Sequence, residues 1–215
     1  MGAYSMADEL RMPRPKNVTT IKPSGTISKI ADTTEGCHRP LGRYLFNNVN
    51  FSKHDPLLKK LSEAGYHMFP NPTSPDAMIV RFPVEWSDVE FSKAGNLHVN
   101  REPALSQLER YKMLMENYVE HNCSITVSYD EAEIPEMVHW LRDNWDSYVG
   151  VSFIRRTDPT KSPEELGHKY LPQEVVTKDR FEDYSQTLRP VSLDDSQGTF
   201  DIDVEDCVGG VCPVK

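Results

Sequence analysis

The chain has 215 residues, 38% of them hydrophobic, with 16 prolines: one domain's worth of protein, or a large piece of a longer one, and lean for a self-contained α/β core. Its formal net charge of −9 argues against non-specific binding to nucleic acid or to an anionic membrane. No apolar run approaches the ~20 residues of a membrane helix, nothing at the N-terminus looks like a signal peptide, and four cysteines in such a chain suit the reducing cytoplasm.

In chain order, residues 1–17 carry three positive charges beside Pro13 and Pro15, show no clear period, and read as a connector. Val18 to Ile21 is a short β-prone run that breaks at Lys22-Pro23-Ser24-Gly25-Thr26. A helical stretch should follow, with Ile27, Ile30 and Ala31 on one face. Arg43 to Phe51, a mixture of apolar and amide residues, is expected as a strand. Asp55-Pro56 then opens a helix, with a carboxylate at the N-cap and proline at the first helical position. Leu57, Leu58 and Leu61 form its apolar face, and Gly65 stops it.

Met78 to Phe82 reads as a strand. From Ala104 to His121, Leu105, Leu108, Tyr111, Met115, Tyr118 and Val119 keep a 3.6-residue period, the best helical pattern in the chain. Ser124 to Tyr129 is β-branched and alternating, so a strand. Ile134-Pro135-Glu136 starts a further helix, with Met137, Trp140, Leu141 and Trp145 on its apolar stripe, and Tyr148 to Ile154 is again a strand. Helix, strand, helix, strand is the order of parallel βαβ units, hence an α/β fold. Past Arg155 the chain is polar and punctuated by proline. One weak helix, Lys178 to Leu188, precedes the acidic stretch Asp194 to Asp206, which reads as a solvated linker.

That linker leads to Cys207-Val208-Gly209-Gly210-Val211-Cys212-Pro213-Val214-Lys215. Glycine at 209 and 210 frees the backbone to fold back, so Cys207 and Cys212 can close a small disulfide ring. So short a ring staples little of the unfolded chain; a dithiol on a terminal arm suits carrying reducing equivalents. Half of a zinc site, a secreted-protein disulfide and two idle cysteines are the competing readings.

Strand, Pro-Ser-Gly-Thr, helix describes an anion site. The first helical turn leaves backbone N–H groups unpaired and its dipole favours negative charge. Gly25 lets a ligand approach the backbone, and the hydroxyls of Ser24, Thr26 and Ser28 add donors. The spacing is not that of a Walker loop, and Ser-Gly-Thr at a helix start is also ordinary capping.

The run Thr19-Thr20-Ile21-Lys22-Pro23-Ser24-Gly25-Thr26-Ile27-Ser28 resembles the substrate-phosphate loop of ribonucleotide reductases, in the form found in the adenosylcobalamin-dependent (class II) enzymes. Glu35-Gly36-Cys37-His38-Arg39-Pro40 follows at the family's spacing. The segments SITVSY, IPEMVHWL and YVGVSFI are similar to the end of the catalytic barrel. Cys207 and Cys212, closing with Pro-Val-Lys, look like the family's C-terminal shuttle pair and lean toward the triphosphate type. The resemblance runs from about residue 18 to the end.

It implies the C-terminal part of a ten-stranded α/β barrel over 18–190, followed by a flexible acidic tail, 191–215, with a redox dithiol. It implies substrate-phosphate binding by Ser24, Gly25, Thr26, Ile27 and Ser28, re-reduction of the active site by Cys207 and Cys212, and no metal ligand in this chain. The family's radical cysteine and its partner glutamate belong to a Cys-x-Glu loop that is absent here. The chain then looks like one part of a split or truncated reductase, inactive alone. Its implied partners are the N-terminal portion with the radical cysteine and glutamate, a thioredoxin-type reductant, ribonucleotide substrate, and adenosylcobalamin bound by the complete enzyme. A stand-alone dithiol carrier or nucleotide-binding remnant is the alternative.

Of the remaining residues, Cys37 matches no reactive cysteine of the family and reads as a bystander, and Cys123 reads as a small buried hydrophobe. His38 lies near the loop and is not expected to ligate cobalt. Trp140 and Trp145 are expected in the core, and Tyr148 near the barrel centre.

Overall fold

A computed structural model describes residues 2–24, 28 and 33–191. The connector expected at the N-terminus contains a helix, α1 (Gly2–Glu9), with Ala7 its buried residue. Arg14 folds back onto it, with Nε and a terminal nitrogen 2.9 and 2.6 Å from the two Asp8 carboxylate oxygens. An exposed local ion pair closes this turn, which hydrophobic periodicity does not reveal. Val18 to Ile21 forms no strand. It lies extended along residues 118–124, held by bonds described below.

Strand β1 (Tyr44–Ser52) follows, and its first six residues are buried in succession. Helix α2 (Leu57–Glu63) starts as expected, with the Asp55 carboxylate accepting from the Leu57 N–H at 2.9 Å. It ends before Gly65, whose φ of +91° suits a residue without a Cβ. Then come β2 (Met68–Pro70), β3 (Ala77–Glu85), the short hairpin of β4 (Ser92–Ala94) and β5 (Leu97–Val99), and helix α3 (Ala104–Asn117). Strand β6 (Thr126–Tyr129), α4 (Ile134–Asp143) and β7 (Ser152–Arg155) form one βαβ unit, with β6 and β7 paired in parallel as the sequence order requires. Strand β8 (Gln173–Val175) and helix α5 (Lys178–Ser185) complete the described chain.

The protein is thus mixed α/β, but the first half departs from a run of parallel units. β2, β3, β1 and β8 form a four-stranded sheet in that order, and every pairing is antiparallel. Tyr44 and Phe46 on β1 meet α5, with ring centroids 5.2 Å from Phe181 and 5.1 Å from Tyr184 respectively. On the same strand Asn47 and Asn48 are buried, which requires partners. Gln173 donates to Asn47 Oδ1 at 3.0 Å. Asn48 Nδ2 donates to Leu171 O at 2.7 Å and to Glu174 Oε1 at 2.9 Å, and its Oδ1 accepts from Arg81. Arg81 also pairs with Glu174 at 2.7 Å and lies over the Phe46 ring. β8 is therefore attached as much by its side chains as by its three-residue ladder.

The second core joins α3, β6 and α4. Ala104, Leu108 and Tyr111 from α3 pack with Val127 and with Met137 and Trp140 from α4, all buried. The Trp140 indole donates to Glu109 at 2.5 Å. Trp145, expected beside it, is 72% exposed instead. The helix stops at Asp143, and a 3-10 turn over Trp145–Ser147 carries the ring off the apolar stripe. Tyr148 stands four residues before β7 and donates to Leu141 O at 3.3 Å, so it belongs to the α4 packing, not to a barrel strand.

Candidate functional site

The Pro-Ser-Gly-Thr turn is mounted from a distance. Val18 N–H donates to Glu120 Oε2 at 2.7 Å, and Thr19 O accepts from Glu120 N–H at 3.1 Å. The hydroxyls of Thr19 and Thr20 donate to Tyr118 O and Asn122 O at 2.5 and 2.8 Å, and Ile21 O accepts from Ser124 N–H at 3.3 Å. The β-prone residues therefore find partners in the α3–β6 connection.

Ser24 follows, and its Oγ accepts from the Ser28 N–H at 2.7 Å. Ser28 is helical and 4% exposed, and its own hydroxyl has no hydrogen-bond partner among the described residues. Gly25, Thr26 and Ile27 lie outside the described residues, as do Ile30 and Ala31. Ser24 thus occupies the amide of a helical residue four positions on, as a capping hydroxyl does.

The turn 35–40 backs this loop. Gly36 has φ +59°, and a Cβ there would lie 3.1 Å from both Lys22 C and Pro23 N, so the two segments are in direct backbone contact. His38 clamps the turn to β6. Its Nδ1 is 2.8 Å from Glu35 O and its Nε2 is 2.9 Å from Thr126 N. The carbonyl needs a donor and the amide an acceptor, which fixes the neutral imidazole with its proton on Nδ1. With both nitrogens occupied, His38 has no electron pair left for a metal.

Arg110 on α3 donates to Cys37 O at 2.8 Å and forks onto the Glu102 carboxylate, one arm at 2.7 Å. The Glu102 partnership holds its guanidinium above the usual range. Gln107 bonds both the N–H and the O of Ser128, at 3.0 and 2.9 Å. None of these clamps was legible beforehand, because each joins residues remote in sequence.

Pro23, Ser28, His38, Arg39, Thr126 and Gln173 line a cavity of about 350 Å³ at this place. The lining includes the Ser28 hydroxyl and the Arg39 guanidinium, beside the carboxylates of Glu35 and Glu102. Cys37 and Cys123 are both free and buried. Burial, and then the neighbouring Cys123, push the Cys37 thiol up to about 12, so it is protonated at neutral pH and is no nucleophile. Cys207 and Cys212, the predicted shuttle pair, lie outside the described residues, as does the acidic linker. Among the described residues no three His, Cys, Asp or Glu side chains converge on a metal position, and no helix is long and apolar enough to cross a membrane.

No family model matches the chain. It is 28% identical over 208 residues to the adenosylcobalamin-dependent ribonucleoside-triphosphate reductase of Lactobacillus acidophilus, which covers 92% of this chain and 26% of that protein. The enzyme of the same name from Lacticaseibacillus paracasei is 28% identical over 225 residues, covering 99% of this chain and 28% of its own length. Among solved structures, a B-12 dependent (class II) ribonucleotide reductase superposes with a TM-score of 0.67 at 24% identity, over 87% of this chain and 25% of that one. The likeness to the adenosylcobalamin-dependent reductases therefore extends over nearly the whole chain, and the fold is shared with the solved class II enzyme. The chain spans about a quarter of the length of these relatives.

Proposed function

We propose that this chain is the C-terminal portion of an adenosylcobalamin-dependent ribonucleotide reductase, which converts ribonucleotides, leaning toward the triphosphates, into 2′-deoxyribonucleotides for DNA synthesis. The observation that carries the reading is the Ser24 hydroxyl bonded to the Ser28 amide beside a cavity lined by Ser28 and Arg39, at the position where the resemblance puts the substrate-phosphate loop. In this reading Ser24, Gly25, Thr26, Ile27 and Ser28 hold the substrate phosphates through backbone N–H groups and hydroxyls. His38, Gly36 and Arg110 position that loop without touching substrate.

Adenosylcobalamin supplies the radical initiation in the complete enzyme. His38 is no candidate cobalt ligand, since both of its nitrogens are engaged. The cofactor is bound by the complete enzyme, and the radical cysteine and its glutamate are assigned to the N-terminal portion. Cys207 and Cys212 pass two electrons to the disulfide formed in the active site by thiol–disulfide exchange, and a thioredoxin-type donor re-reduces them. β7 supports the need for a partner polypeptide. All four of its residues are exposed, Phe153 and Ile154 among them, and β6 is its sole strand neighbour among the described residues.

The test is co-expression with the N-terminal portion, followed by a reduction assay with and without adenosylcobalamin. The pair should turn over only with the cofactor, and this chain alone should not. Turnover by this polypeptide alone would overturn the split-enzyme reading. An inactive pair with intact nucleotide binding would leave a nucleotide-binding remnant.

A further inference from the structure

The β1–β3 pair turns two different faces to its surroundings. Tyr44 and Phe46 meet α5, so Leu45 and Asn47 point the other way. Leu45 stands opposite Val84, and two residues further on Trp86 prolongs the ladder by donating its N–H to Arg43 O at 2.9 Å. Alternation brings Leu45, Val84 and Trp86 to one face. All three line the cavity of about 350 Å³ that Ser28 and His38 also line. Gln173, opposite Asn47 in the register, and Asn100 add amides to the same lining.

Trp86 is half-buried, yet among the described residues its indole N–H has no acceptor and its ring no aromatic or cationic neighbour. A buried tryptophan ordinarily spends that N–H, as Trp140 does on Glu109. The amides carry unspent atoms too. Gln173 gives Nε2 to Asn47 and keeps Oε1, while Asn100 gives Oδ1 to the Glu102 N–H and keeps Nδ2. A flat group with apolar faces and a polar edge supplies what all three lack.

A nucleobase is such a group: proteins hold unpaired bases by stacking them on aromatic rings and hydrogen-bonding their edges. It is neutral, which suits a lining where Arg39 and Arg110 are matched by Glu35 and Glu102. The volume falls within the ~300–1,000 Å³ of small-ligand sites. We infer, on the reading of residues 24–28 as a phosphate loop, that Trp86 is the stacking platform for the base of the bound ribonucleotide, with Gln173 and Asn100 at the base edge. Every base has a π-face, so this platform accepts purines and pyrimidines alike.

Tryptophan fluorescence and calorimetry on the full chain test it. Neither Trp140 nor Trp145 lines the cavity. Adenosine or cytidine triphosphate should therefore quench Trp86 emission, and inorganic tripolyphosphate, which has no base, should bind without quenching. This comparison needs no substitution. Trp86→Phe should remove the quench and keep nucleotide affinity within about threefold, since a phenyl ring still stacks. Trp86→Ala should lower nucleotide affinity roughly 5- to 100-fold and leave tripolyphosphate affinity unchanged. Nucleotide binding without a quench, a quench that survives in Trp86→Phe, or equal losses for both probes in Trp86→Ala would overturn the platform and leave the phosphate loop standing. Binding of neither probe by the wild-type chain would overturn the phosphate loop, and the platform with it.

Discussion

Gly36 and Gly95 have the same φ, +59°, and different surroundings, so together they measure how tightly the turn at 35–40 supports the loop. Alanine at either position must enter the left-handed region, at about 1–2 kcal/mol. At Gly95 nothing lies within 4 Å of the added Cβ, so strain is the whole cost. At a melting-point shift of about 2–4 °C per kcal/mol for a chain this size, Gly95→Ala should lower the midpoint by roughly 2–8 °C. At Gly36 the added carbon lies 3.1 Å from Lys22 C and Pro23 N, both backbone atoms that cannot rotate away. Overpacking of this kind adds about 1–3 kcal/mol, for a total of roughly 2–5 kcal/mol. The displaced atoms immediately precede Ser24, so Gly36→Ala should also weaken nucleotide binding by the reconstituted enzyme, and Gly95→Ala should not. Thermal melts of the two variants, with nucleotide titrations, decide the matter. Equal losses of stability and unchanged affinity would refute the claim that this turn positions the loop.

Ser24→Ala removes the capping acceptor and should cost about 1 kcal/mol of local stability, with affinity falling roughly tenfold; Gly25→Val should do more, and wild-type affinity in that variant would reduce the loop to a helix cap. Cys207→Ser or Cys212→Ser in the reconstituted enzyme should abolish thioredoxin-driven multiple turnover and spare the first turnover of pre-reduced enzyme, which single-turnover assays distinguish. The Cys37 thiol is raised from its ordinary 9.0 to about 12 by burial and then by Cys123, so the native state holds this proton more tightly than the unfolded chain does. That stabilisation is full below about pH 9 and is lost as pH rises toward about 12, so the alkaline fall in stability should be shallower in Cys37→Ala, as urea melts across that range will show. Glu174→Gln strips the charge partner from the mostly buried Arg81 and should cost about 3 kcal/mol in denaturant melts.

The parts of the fold that could be read from sequence are those whose information is local. α3, β6, α4 and β7 each carry their own period, and their order alone implies the parallel pairing. The two long strands β1 and β3 could be read, but not their antiparallel pairing, and the burial of Asn47 and Asn48 makes sense only once Gln173, Glu174 and Arg81 are placed beside them. β8 has three residues, too few for any alternation to show. Trp145 misled because the helical stripe extrapolates through a stop at Asp143 that no glycine or proline marks. At the site, Ser24 and Ser28 came from a motif, whereas the His38 clamp could not: its partner Thr126 is 88 residues away.

The bonds that mount Thr19 and Thr20 join residues 99 and 102 positions apart. During synthesis at roughly 5–20 residues per second, the loop leaves the ribosome several seconds before the strand and helix end it needs. Until residues 118–124 emerge, the hydroxyls and carbonyls of 18–21 have only water to bond. Closing a loop of that length is slow, and contacts of this separation form late in folding. The segment 18–24 is therefore mounted after the α3–β6 core, so a chain with a damaged core should lose this mounting before it loses its helices.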